Sequence, residues 1–119
     1  MLLIIHLSKV GEESEINDLQ ENSIVTTNEE LESYYIVKSI LSEIIDPSDL
    51  YYKDTYSYFG ILYKNKVTKW ICRVFLKENV KFVVIPDENK KDIRYEINHV
   101  TDLYKLKDKL IVRLNNFIN

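Results

Sequence analysis

Carboxylates carry the first chemical possibility in this sequence. Asp54 stands in KDTYSYFG, between two strand candidates, and Glu29, Glu30 and Glu32 open a predicted helix. An acid from a helix and an acid from a strand end can together hold Mg²⁺ or Mn²⁺, so Asp54 and Glu30 form a candidate metal pair for phosphodiester hydrolysis. The strand that would complete such a centre needs a second acid followed two residues later by lysine. It reads Trp70-Ile71-Cys72-Arg73, which offers Arg73 as a cation and no carboxylate. The simpler expectation makes Asp54 a turn cap or the ion-pair partner of Arg73. Cys72 lies in mid-strand, where a buried structural thiol is expected rather than a nucleophile. His6 and His99 fall in different elements, and His99 stands where a helix start is expected. No spacing gathers these side chains into a metal or nucleophile site.

The second possibility is a binding face. Tyr51, Tyr52, Lys53, Tyr56, Tyr58, Tyr63, Lys64, Lys66, Lys69, Trp70 and Arg73 interleave aromatic and basic side chains over a short stretch. Bases stack on aromatic rings while Lys and Arg neutralise phosphates, so a strand pair of this composition can form a platform for nucleic acid. Lys64, Lys66, Lys69 and Arg73 would meet phosphates, and Tyr58 or Trp70 would stack. The competing explanation is that Tyr and Trp favour strands and that lysines crowd solvated hairpin tips.

These residues need a scaffold. Thr27 and Glu30 make a capping box, and Leu31, Tyr34, Tyr35, Lys38, Leu41 and Ile45 continue at helical spacing until Asp46-Pro47 stops the helix. The period then changes to two. Strands are expected at 50–53, 56–63, 69–76, 81–85 and 93–97, with Asn65 taking a left-handed position in the hairpin between the second and third. Leu103, Leu106, Leu110, Leu114 and Phe117 then mark an amphipathic C-terminal helix. The expected fold is α+β: a largely antiparallel sheet of four to five strands flanked by an N-terminal and a C-terminal helix. Residues 24–119 would form this single domain. Residues 1–23 would form an apolar arm, MLLIIHL, and an acidic linker.

Composition sets the limits. At 119 residues, with 45% hydrophobic and 29% charged side chains, the chain suits one globular domain. One cysteine excludes an internal disulfide and multi-cysteine metal frameworks, and two glycines leave no phosphate-cradling loop. The net charge is −3, but from Ser33 onward fifteen basic residues face eleven acidic ones. The arm is too short to span a membrane and lacks the features of a secretory signal, so no membrane partner and a cytoplasmic location are expected.

The run IVTTNEELESYYIVKSILSEIIDPSDLYYKDTYSYFGIL, followed by WICRVF, resembles a module near the C-terminus of bacterial predicted restriction-type endonucleases. Those proteins are similar to the N-terminal domain of type I restriction enzyme R subunits. The resemblance spans Ile24 to about Phe75, and rests on TTNEELE, DTYSYFG and ICR. It implies a link to DNA cleavage or defence, a PD-(D/E)xK-like core, and Asp54 with Glu29 or Glu30 as the metal acids. It also implies that the chain is a piece or partner of a larger system. Because no (D/E)-x-K follows, the leading expectation is a non-catalytic accessory domain of a restriction- or defence-type system that binds nucleic acid, with DNA the candidate partner and DNA versus RNA left open. The alternatives are a weak Mg²⁺-dependent nuclease using Asp54, Glu30 and Arg73, and a protein-interaction module in which the arm pairs with another subunit or a homodimer mate.

Overall fold

The computed structural model describes residues 24–77 and 79–118. The expected arm and linker lie outside these residues. Helix α1 (Asn28–Leu41) leads into five strands, β1 (Leu50–Asp54), β2 (Phe59–Tyr63), β3 (Trp70–Leu76), β4 (Lys81–Pro86) and β5 (Asp92–Glu96), and helix α2 (Lys107–Ile118) closes the domain. The strands pair in chain order, each antiparallel to the next. This is the expected α+β architecture: a meander with both helices on one face.

Helix α1 starts where its capping chemistry places it. Thr27 Oγ1 accepts from the Glu30 amide at 3.1 Å, and Glu30 Oε1 accepts from the Thr27 amide at 2.9 Å. The helix ends at Leu41, short of the expected stop at Asp46. The amides of Ile44 and Ile45 both donate to the Leu41 carbonyl, winding the chain into a turn. Asp46 instead caps the short 3-10 turn Pro47–Asp49 by accepting from the Ser48 amide. Tyr34 then fixes helix to sheet: its buried hydroxyl donates to the Leu50 carbonyl at 2.6 Å.

The second strand starts at Phe59 rather than Tyr56. Thr55 Oγ1 accepts from the amides of Ser57 and Tyr58, so Tyr56 and Ser57 form a hairpin tip. In the next hairpin Lys64 and Asn65 both have φ of 57°. Two left-handed residues in succession match the twist of the flanking strands. Leu103 and Leu106 belong to a 3-10 turn (Val100–Leu106) that precedes α2, tightened because Asp102 accepts from the Asn98 and His99 amides.

Alternation along the strands divides the sheet. Leu50, Phe59, Ile61, Cys72, Val74, Val83 and Ile85 point toward the helices and join Val37, Leu41, Leu103, Leu110 and Leu114 in one buried cluster. Among the described residues the opposite face carries no helix.

Candidate functional site

Register decides which side chains share the open face. Lys53, Gly60, Arg73, Val84 and Arg94 lie on one transverse row, and Phe75 pairs with Phe82 beside it. Between Ile61 and Leu62 the β2–β3 register slips by one residue, so Leu62 faces Trp70 while Ile61 faces Cys72. Ile71 is the extra residue of this bulge and turns into the core. The slip has a chemical consequence. Trp70 and Arg73, three residues apart, would fall on opposite faces of a regular strand. Here the Arg73 guanidinium lies 4.0 Å from the centre of the indole.

A ladder of rings and cations runs onward from that contact. Arg73 also lies 4.6 Å over the Tyr58 ring, and Tyr58 sits 6.0 Å from Phe75. Phe75 stacks on Phe82 at 4.4 Å, and Arg94 covers Phe82 at 3.6 Å. Gly60 makes room for the middle of the ladder: a Cβ there would come within 3.3 Å of the Tyr58 ring. Trp70, Tyr58, Phe75 and Phe82 are all half-buried, each with part of its ring reachable from solvent.

Charge is uneven along this ladder. At its β5 end Arg94 is paired with Glu96 at 2.7 Å. At its Trp70 end no carboxylate pairs with Arg73 among the described residues, and its buried Nε has no hydrogen-bond acceptor. The exposed hairpin adds Lys64, Lys66 and Lys69, with the Lys64 and Lys69 ammonium groups 5.5 and 5.9 Å from the Tyr63 ring. Of the residues expected to bind nucleic acid, Tyr58, Trp70 and Arg73 therefore form one continuous contact; Lys64 and Lys69 instead lie against Tyr63, a core residue on the helix side, and Lys66 is exposed on the hairpin. Phe75, Phe82 and Arg94 were not anticipated.

The acids lie on the other side of the sheet. Asp54 shares its row with Phe59 and Val74 and faces the start of α1. Its Oδ2 accepts from the Thr26 hydroxyl at 2.7 Å, and the Glu30 carboxylate is near enough to repel it. Burial, reinforced by the Glu30 carboxylate, pushes the Asp54 carboxyl up to about 6. The structure thus brings Asp54 and Glu30 together, as expected of a metal pair, but Arg73 is on the opposite face and does not ion-pair with Asp54. Among the described residues no group of three or more acids, histidines or cysteines gathers anywhere. Glu30 is also committed to its helix cap. Cys72 is fully buried, and desolvation raises its thiol to about 12, so it remains a neutral core side chain at physiological pH.

No described helix is long and apolar enough to cross a membrane. No family model, curated protein or solved structure matches the chain.

Proposed function

We propose that this chain is a non-catalytic accessory domain that binds nucleic acid through the open face of its sheet, taking unpaired bases on the Trp70–Tyr58–Phe75–Phe82 ladder. The observation that supports this reading is the ladder itself. Four rings and an arginine without a carboxylate partner lie side by side on a face that no helix covers among the described residues. Rings in such a row offer their exposed edges and remaining faces to bases whatever their identity, and the hairpin lysines would neutralise the backbone. The resemblance of Ile24–Phe75 adds the setting, a cytoplasmic restriction- or defence-type system in which any cleavage centre is carried by another subunit or domain.

The test is fluorescence anisotropy of labelled single- and double-stranded DNA at low and high salt. Micromolar or tighter binding that favours the single strand and weakens with salt is expected. Replacing Lys64, Lys66 and Lys69 with Glu should weaken it further and flatten the log–log salt slope by about 2. No binding at low salt would remove the proposal.

A second reading, a weak Mg²⁺- or Mn²⁺-dependent nuclease, draws on the proximity of Asp54 and Glu30. It has less support, because no third ligand gathers beside the pair among the described residues and Arg73 faces away. Cleavage undiminished in Asp54→Asn would end it.

A further inference from the structure

Trp70 is approached by a second guanidinium. Arg113, on α2, lies 5.2 Å from the indole centre and 4.5 Å from the Phe117 ring, and its Nε donates to the Trp70 carbonyl at 2.9 Å. Arg113 is 95% buried. A buried cation is ordinarily matched by a carboxylate, since desolvating it alone is costly. Here none is within ion-pair distance among the described residues, and Asp92 acts only from farther away. Burial lowers the Arg113 pKa; the Asp92 carboxylate partly offsets this, and Arg73 adds a smaller repulsion. One turn along the same helix, the buried Asn116 Nδ2 also has no acceptor, and neither does Arg73 Nε.

Among the described residues, two guanidiniums set against one indole, neither of them in an ion pair, and a buried Arg73 Nε without an acceptor describe a corner suited to an anion. Each unmet buried donor costs about 1–3 kcal/mol, and a polyatomic oxyanion offers acceptors to several donors together. We infer that Arg73 and Arg113, set against Trp70, form a phosphate anchor that holds one backbone phosphate of a bound strand at the start of the ring ladder. This inference rests on the nucleic-acid reading and gives it a direction. The phosphate is fixed at the Trp70 end, where Lys64 and Lys69 stand nearby, and the bases run toward Phe82, where Arg94 is already neutralised by Glu96. The chemistry recognised is the phosphate group, whether free or within a strand.

Trp70 is the sole tryptophan, so it reports directly on the anchor. Its fluorescence is followed as inorganic pyrophosphate is added at constant ionic strength, with chloride as the matched control. Wild-type protein, Arg73→Gln and Arg113→Lys are compared, with melting temperatures measured alongside. A saturable change with pyrophosphate but not chloride is expected, with affinity reduced about tenfold or more in Arg73→Gln. A non-saturating response, or an equal affinity in Arg73→Gln, would overturn the anchor. If Arg113→Lys does not fold, the half-exposed Arg73 site decides the matter alone. Pyrophosphate saturation without oligonucleotide binding would keep the anchor and remove the nucleic-acid reading. Oligonucleotide binding indifferent to Arg73→Gln would keep that reading and remove the anchor.

Discussion

The two faces of this sheet are built from the same strands and similar residue types, yet they use aromatic side chains in opposite ways. On the helix side Phe59 is fully buried and stacks on Tyr52 at 5.1 Å within a closed cluster. On the other side Phe82 stacks on Phe75 at a shorter distance and remains reachable, with Arg94 rather than an aliphatic layer above it. Burial makes the first ring a stability element. Partial exposure beside cations sets the second apart: with Phe75 on one face and the Arg94 guanidinium on the other, the ring keeps its edge toward solvent, and this is what the proposed binding would use.

Truncation should separate the faces most sharply. Phe59→Ala removes a fully buried ring and is expected to cost about 3–5 kcal/mol of stability in urea denaturation. Phe82→Ala should cost about 1–2 kcal/mol, less than half as much, and should weaken single-strand binding instead. Equal losses of stability would break the distinction between the faces. Trp70→Ala is expected to weaken binding by about 1–3 kcal/mol, measured by anisotropy, as loss of a stacking platform does.

The acid pair gives a smaller effect of opposite sign. Because folding raises the Asp54 pKa to about 6, the folded state holds its proton more tightly than the unfolded state does. Its contribution to stability is full below the ordinary aspartate range and is lost as pH rises toward 6. Asp54→Asn should therefore stabilise the protein at pH 7 by about 1 kcal/mol, after allowing for solvent screening of this part-buried group, and should flatten the stability profile between about pH 4 and 6. A destabilised variant at pH 7 would contradict the raised Asp54 pKa and the burial that causes it. Gly60→Ala should shift the Tyr58 ring by a few tenths of an ångström and weaken binding modestly with the fold retained, as binding and melting curves on one sample would show. Smallest of all, Lys81→Gln should change stability by no more than about 0.5 kcal/mol, since its 2.8 Å pair with Glu29 is on the surface.

Much of the scaffold was legible in the residues. The Thr27–Glu30 capping box is a local hydrogen-bond pattern, and Asn65 is one of the few residues that tolerate a left-handed turn, so both could be read without tertiary information. The strand order followed from short connections. The faces were another matter. WICRVFL and KFVVI read as apolar runs, and only the pairing register assigns Phe75 and Phe82 to the open side. The bulge at Ile71 was invisible for the same reason, yet it brings Trp70 onto the face of Arg73, while the Gly60–Arg73 pairing sets Arg73 on the face away from Asp54. Arg113 was hidden in a helix read for its leucines; a cation beside Leu114 on the apolar side of α2 was the available signal.

The most direct measurement of the central claim is amide chemical-shift mapping by NMR as a short single-stranded oligonucleotide is added at low salt. The account predicts that the largest shifts fall on Tyr58, Trp70, Arg73, Phe75 and Phe82 and on the Lys64–Lys69 hairpin, with the exposed surface of α1 unmoved. Shifts centred on α1 and the Asp54–Glu30 pair, or none anywhere, would contradict it.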